Sequence, residues 1–398
     1  MLPRSFALRI LGPLALATLS GHAAAGGAWL PGSAQTAVEH RVAVALGPER
    51  TTLWTSVRFE GGAGPVGVVV PVPPLAALDL SSDAWLEALE VATAPRVFPP
   101  EGISPYCPGE QGEPEPLHVA GDIGHTPTLP PAEILVLDDA GAVALWAAQH
   151  GLSLSPEIAA GLSGMQGKRF LAARFVSPGG AGLTRTLRVV LPAAEPALPL
   201  ALTRAGNDDV RVTAWLIGPG RAGLSPSTLV TVPEESLIWS AGALDSNYED
   251  ERMAALVDAG PEGAVLECSS HEALKESVPL GGSASIDGVI TSYFERAVAY
   301  GEGSGDPAAC AVAAAAALSS GAAVSGSCPR ADQGVVDGAD TCVEAPLVGE
   351  TDPARLRCGE GADDLAVGLS GLIPSGAVLT RYTLRVPAQG GGLNHAIG

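Results

Sequence analysis

Two histidines and three acids fall close together in the chain: Glu113, Glu115, His118, Asp122 and His125. Imidazole nitrogens and carboxylate oxygens are the donors of zinc and other divalent-metal sites. These five lie on a Pro/Gly/Glu-rich connection over 98–131 with no helical spacing, so the plainer reading is a solvated loop. Loops of this length are either functional or mobile, which makes 101–131 the stretch where a hydrolytic or metal site would assemble. No other motif points to chemistry. Gly218-Pro219-Gly220-Arg221-Ala222-Gly223 has the GxGxxG spacing of a dinucleotide loop. That chemistry needs a helix to start there, because the pyrophosphate sits on helical N–H groups. Pro226 and a strand pattern follow instead, so a hairpin connection is expected. The sequence has no G-x-S-x-G elbow, HExxH, Walker loop or EF-hand loop. His150 is expected at a helix end, where a cation suits the dipole. Asp208, Asp209, Asp363 and Asp364 read as turn formers. A glycosidase-like carboxylate pair would show itself only by distance in space.

The elements around these residues alternate between strand and helix patterns. "RVAVALGPERTTLWTSVRFE" reads as a hairpin. Val42, Val44 and Leu46 share one face, Leu53, Thr55, Val57 and Phe59 another, and Gly47 to Arg50 form the turn. The next strand, 66–70, is apolar on both faces and belongs inside a sheet. Pro71 has no N–H for a ladder and should end that strand, with Pro73 and Pro74 holding the exit extended. The alternative, a PxxP ligand, lacks a basic neighbour.

Further helices are expected after Ser81 or Ser82, with Trp85, Leu86 and Leu89 inward, after Asp139 and after Ser155-Pro156. Ser246-x-x-Glu249 fits a capping box, and 287–300 and the alanine run after Asp306-Pro307 read as helices. Strands are expected at 133–137, 170–176, 184–191, 198–203, 210–217, 228–232, 265–268 and 377–386. "RFEGGAGPVGVVVPVP" and "RFVSPGGAGLTRTLRVVLPAAEP" repeat one order of residues, by duplication or by composition bias.

Composition narrows the function classes. Of 398 residues 46% are apolar but only 4% aromatic, so the core is mostly Ala, Val and Leu. Arg4 and Arg9, the apolar stretch 10–19 and Ala23-Ala24-Ala25 form a secretory leader pattern with cleavage near Ala25. About ten apolar residues are too few to span a bilayer, which takes roughly 20. No later transmembrane helix is expected. The formal net charge is -21. Loss of the two leader arginines takes it to about -23 by counting charges, and such a surface repels nucleic acid. Between Arg96 and Lys168 there are nine Asp or Glu and no Lys or Arg, which serves solubility or, in the sharper reading, a calcium-binding surface. No other cofactor is indicated.

Six cysteines behind an export signal are expected as disulfides. Cys310, Cys328, Cys342 and Cys358 lack Cys-x2-Cys zinc spacing and are expected to pair among themselves. Elimination leaves Cys107 with Cys268.

Taken in order, "VAVALGPERTTLWTSVRFEG", "VGVVVPVPP", "AWLEALEVATAPRV", "ILVLDDAGAVALWAAQHG", "GKRFLAARF" and "VLTRYTLRVP" resemble the bacterial family known as domain of unknown function 2330. The resemblance covers most of 38–232 and short later pieces. It implies an exported envelope or secreted protein and carries over no catalytic residue.

The sequence therefore predicts an α+β, β-rich protein: largely antiparallel sheets covered by helices, with a disulfide-stapled C-terminal segment. Its expected divisions are a signal peptide (1–25), a β-rich α+β domain (26–240) and a C-terminal α/β portion (241–398) carrying the Cys-containing segment at about 301–360. The expected function is a non-enzymatic periplasmic or extracellular binding or structural protein with an envelope or extracellular partner. The alternatives are a secreted hydrolase whose site forms near the 101–131 loop, and a calcium-binding surface protein.

Overall fold

Strands with apolar residues on both faces must be covered on both, and that requirement organises the whole molecule. A computed structural model describes residues 27–32, 35–48, 50–74, 76–100, 117–121, 125–126, 128–191, 197–200, 202–203, 209–275, 278–281, 284–286, 288–325, 349–388 and 394–398. Its main strands are β1 (Ala28–Pro31), β2 (Gln35–Leu46), β3 (Thr51–Gly61), β4 (Gly64–Val72), β5 (Ala77–Leu80), β6 (Thr128–Leu129) and β7 (Glu133–Leu137). They continue as β8 (Arg169–Ser177), β9 (Gly182–Thr184), β10 (Leu187–Leu191), β11 (Val210–Gly218), β12 (Thr228–Val230), β13 (Gly263–Ser270) and β14 (Val378–Val386). The helices that cover them are α1 (Asp83–Thr93), α2 (Ala140–Gln149), α3 (Pro156–Ser163), α4 (Tyr248–Asp258), α5 (Val289–Ala299), α6 (Pro307–Leu318) and α7 (Asp364–Gly368).

Two sheets form. The smaller has the order β1-β4-β8-β7. The larger has ten strands, β12-β13-β14-β11-β2-β3-β9-β6, with β10 pairing β3 and β5 pairing β10. Pairing is antiparallel except at β2–β11, β12–β13 and β6–β9. Strands from both sides of residue 240 share this one large sheet.

Side-chain size sorts the faces. Along β2 the larger Val42 and Val44 point into a core between the two sheets, where they meet Val66, Val68, Val70 and Phe175. The smaller Ala43 and Ala45 point the other way, beneath α1, α5, α6 and α7, with Trp54, Trp85 and Trp215 filling the gaps. The outer face of the small sheet is closed by α2 and α3 through Val143, Trp146, Ile158 and Leu162. The layers run helix, sheet, sheet, helix. The fold is thus α+β and β-rich, with largely antiparallel sheets under helices. Among the described residues no helix is long and apolar enough to cross a membrane.

The repeated sequence pattern has a structural counterpart. Strand β3 leads into β4 and so passes from the large sheet to the small one; β8 leads into β9 and β10 and passes back. Gly61 and Gly180 exchange backbone hydrogen bonds where the two crossings meet (3.2 and 2.7 Å). Gly182 lies against the Phe59 ring so closely that a Cβ would stand 2.5 Å from it.

Most expected elements form, with instructive differences. Pairing of β4 continues past Pro71 to Val72, opposite Arg169. Strand β1 stops opposite Val69, so beyond it β4 has a partner on one side only, where a residue without N–H is tolerated. The proline exit does not aim straight into a helix, because β5 intervenes and pairs β10. The 184–191 strand is broken into β9 and β10. At α4 the capping box does not form: Asn247 is the cap residue, its side chain accepts from Ile238 N–H, and Glu249 turns to Arg211 and Arg252. The loop at 218–223 leads to strand, not helix, as the proline pattern required.

Cys310 on α6 is bonded to Cys358, tying the segment before α7 to the helical layer. Cys268 has a free, half-buried thiol, which burial pushes up. Cys107, Cys328, Cys342 and the leader lie outside the described residues, as do Glu113, Glu115 and Asp122.

Candidate functional site

The N-terminus of α1 is built by its own sequence. Ser82 caps it, its side chain accepting from Ala84 N–H. Asp83 then falls in the first turn, where a carboxylate complements the helix dipole. Glu87, four residues on, shares its face. Helix α5 packs beside α1, Trp85 meeting Tyr293 edge-on, and brings Arg296 and Tyr300 to the same corner. Gly301, with φ 71°, closes α5 and turns the chain so that Glu302 comes back over the start of α1. Arg185 arrives from the link between β9 and β10, and His125, Thr128 and Pro130 from the end of the long loop.

Together these residues line a cavity of about 630 Å3, walled by Asp83, His125, Thr128, Pro130, Arg185, Ala299, Tyr300 and Glu302. Its polar contacts are almost all internal. Arg185 Nη1 donates to Asp83 Oδ2 (3.1 Å) and pairs with Glu302, while its Nε donates to the Ser81 carbonyl (3.0 Å). Thr128 Oγ1 also donates to Asp83 Oδ2. Glu302 Oε2 accepts from Ser82 Oγ (2.7 Å) and Asp83 N–H (2.8 Å). Glu87 Oε2 accepts from Tyr300 OH (2.6 Å) and Arg296 Nη1 (3.1 Å), and its Oε1 lies 3.0 Å from His125 Nδ1. The His125 and Tyr300 rings lie against each other at a tilt of 31°, their centroids 4.1 Å apart.

Among the described residues, that arrangement leaves one carboxylate oxygen of Asp83, Glu87 and Glu302 without a partner: Asp83 Oδ1. The Asp83 side chain is only 9% exposed. Burial raises its carboxyl to about 6, against the Thr128 hydrogen bond and the Arg185 charge, and Glu302 and Glu87 push the same way as burial. Burial and the Glu87 hydrogen bond push the Tyr300 phenol up to about 12, so it stays a donor. Asp83 thus lines the cavity with its Oδ1 buried from solvent and unpartnered, while Glu87 and Glu302 are engaged.

Of the histidines and acids expected to form a site, His118 and His125 are among the described residues, and the structure brings His125 here. His118 serves a different corner: its Nδ1 is 2.8 Å from Ser246 Oγ and its Nε2 3.1 Å from Asp245. Near it a second cavity, of about 590 Å3, is lined by Arg96, Phe98, Ile238, Trp239 and Tyr248 among others. Among the described residues no three His, Cys, Asp or Glu side chains are placed to hold a metal ion.

Asp83, Glu87, Arg185, Tyr300 and Glu302 were not legible as a group in the sequence. Asp83 and Glu87 read as ordinary polar positions on an amphipathic helix. Their only signal was the capping serine, which placed Asp83 in a first turn.

Two further charged clusters are sealed. Arg188 reaches Asp79 (2.8 Å), Asp364 (2.9 Å) and Asp363 (2.5 Å). Asp364 also accepts from Trp54 Nε1 and Ser81 Oγ. Asp363 and Asp364, read as turn formers, are therefore partners of a buried cation. Burial pushes the Asp79 and Asp364 carboxyls up although Arg188 pulls them down. Glu267 is held between Arg252 and Arg381. The Arg188 and Arg381 side chains are 1–2% exposed, so these clusters join strands to helices and offer no surface to a ligand.

A family model described as an uncharacterized protein conserved in bacteria (DUF2330) matches residues 20–258. The matched span supplies Asp83, Glu87, His125, Thr128 and Arg185, whereas Arg296, Tyr300 and Glu302 come from beyond it. No curated protein and no solved structure matches the chain.

Proposed function

The chain belongs to the uncharacterised bacterial family DUF2330, and from that premise we propose that it is an exported, non-enzymatic binding protein of the periplasm or extracellular space that takes a small polar ligand in the cavity at the start of α1. The single observation that carries the binding site is the buried, unpartnered Asp83 Oδ1. An unsatisfied buried acceptor costs about 1–3 kcal/mol, and a ligand recovers that cost by turning Oδ1, which has no accessible surface, into the cavity. A catalytic carboxylate pair needs two acids free to exchange protons with substrate, whereas Glu87 and Glu302 are each held by two or more internal donors. Export rests on the leader pattern, and the Cys310–Cys358 bond fits an oxidising compartment.

The test has two parts. Mass spectrometry of the protein from cell fractions should find a mature N-terminus near residue 26 outside the cytosol; an intact leader on cytosolic protein would refute export. A thermal-shift screen of small polar compounds should give hits on the native protein that Asp83→Asn abolishes.

A second reading, hydrolysis, has one observation in its favour: Asp83, raised to about 6, is in the range suited to a general acid or base and stands beside residues of the long loop. Turnover on an ester, glycoside or peptide panel, lost in Asp83→Asn, would establish it and displace the binding reading.

A further inference from the structure

We infer that the second cavity, between residues 96–98 and the start of α4, binds a small organic carboxylate, its anionic head on the Arg96 guanidinium and its apolar body against Phe98, Trp239 and Tyr248. This cavity shares no lining residue with the one at the start of α1, and the inference does not depend on that site.

Two short ladders build the walls, and one histidine joins them. Arg96 and Val97 pair with Val119 and His118. Trp239 pairs with Ser246, whose Oγ lies 2.8 Å from His118 Nδ1. Asn247, the cap residue of α4, holds the chain just before Trp239: its side chain accepts from Ile238 N–H (2.6 Å) and donates to the Ser236 carbonyl (3.0 Å). Tyr248 follows, lining the cavity with its OH donating to Glu267 (3.4 Å). His118 is here a positioning residue.

Arg96 supplies the charge. It is half-buried and lines the cavity. Its Nη2 donates to the Val91 carbonyl (3.2 Å) and its Nε is sealed, which leaves Nη1 without a partner among the described residues. Arg174, Arg185, Arg211 and Arg296, likewise half-buried, each reach an acid, whereas among the described residues Arg96 enters no ion pair. The one titratable side chain that bears on its charge is the Cys268 thiol, which burial keeps protonated. A carboxylate gives the guanidinium the charged acceptor that the fold withholds.

The rest of the lining is apolar and uncovered. Phe98 is 47% and Ile238 69% exposed, and Trp239 and Tyr248 add aromatic faces. A ligand with an aryl or alkyl body removes this surface from water.

Other ligands fit less well. A cation is attracted to aromatic faces and to Glu234, also in the lining, but Arg96 repels it. Glu234 is exposed, so water and salt screen its charge, which also limits what it costs an anion. A neutral apolar molecule leaves Arg96 unpaired, and inorganic phosphate leaves the apolar faces uncovered.

Calorimetric titration of the full-length protein at pH 7.5 tests the inference. The probes are 3-phenylpropanoate, octanoate, 3-phenylpropanamide and 2-phenylethylammonium. At least one of the two carboxylates should bind one to one, tenfold or more tighter than the uncharged amide or the ammonium. Arg96→Gln should cost that carboxylate tenfold or more and leave it no tighter than the amide. Ile238→Glu, at an exposed position in the lining, sets a like charge beside the ligand and should cost the carboxylate fivefold or more, which keeps the test decisive if the arginine variant misfolds. Absence of binding by both carboxylates overturns the inference, as does equal or tighter binding of the amide or the ammonium. Carboxylate affinity unchanged in either variant that folds overturns it as well.

Discussion

Replacing Asp83 by asparagine should make the protein's stability less sensitive to pH in a defined direction. Burial raises the Asp83 carboxyl from 3.8 to about 6. At about 1.4 kcal/mol per tenfold change in proton affinity, that is roughly 3 kcal/mol opposing the ionised form in the folded state. The folded pKa lies above the unfolded one. The folded chain therefore binds more protons between the two values, and this group's contribution to stability is full below about pH 3.8 and lost as pH rises to about 6. Asparagine keeps an oxygen for Thr128 and Arg185 and does not titrate. The stability of Asp83→Asn relative to native protein should thus rise by roughly 3 kcal/mol between pH 4 and 7. Urea unfolding followed by tryptophan fluorescence reads this directly, since Trp54 on β3 and Trp85 on α1 are buried in the core between the large sheet and its helices. The difference between the two proteins matters, not either curve alone. His40 is buried without a partner among the described residues, and burial lowers it to about 4, so it imposes the opposite slope over an overlapping range. If the difference stays constant within about 1 kcal/mol from pH 4 to 7, well below the linkage value, Asp83 is not the strained acid described here and the site loses its main support.

The remaining expectations follow from the same contacts. His40→Leu should remove a loss of roughly 3 kcal/mol between pH 6.5 and 4, because the unfolded imidazole takes a proton that the buried one refuses; an unchanged acid slope in urea titrations would contradict this. Arg188→Met should cost about 3–5 kcal/mol by leaving Asp79 and Asp364 buried without their cation. Adding Asp364→Asn should recover part of that loss, and strictly additive losses in the double-mutant cycle would show that the pair is not coupled. Replacing Cys310 and Cys358 together by alanine releases a bond spanning 48 residues. Chain entropy then predicts about 4 kcal/mol of lost stability, and an unchanged melting temperature would show that the helical layer holds this segment without it.

How much of this was legible beforehand depended on the range of the physics involved. The β2–β3 hairpin, the caps of α1, α2, α3 and α6 and the buried nature of β4 were readable because each is fixed within a few residues, by side-chain alternation or by one side chain satisfying a helix-end N–H. The failed capping box at Ser246 shows where local rules give way. Ser246 was drawn to His118 and Glu249 to Arg211 and Arg252, partners far away in sequence or revealed only by the packing. Strand β5 was invisible because its pairing with β10 is a long-range contact. His125 was identified by residue type and does stand in the cavity, on Glu87 and Tyr300.

By itself the sequence determined the class of fold, the alternation that sorts large valines from small alanines on each strand, the family, and the cysteines available for crosslinking. Only the tertiary structure decided that two sheets share one core between outer helical layers, and that Asp83, Arg185, Tyr300 and Glu302, spread over more than two hundred residues, meet at one corner. The physical reason is that hydrophobic alternation and capping act along the chain, whereas desolvation of a carboxylate and the supply of its partners depend on which distant segments pack around it.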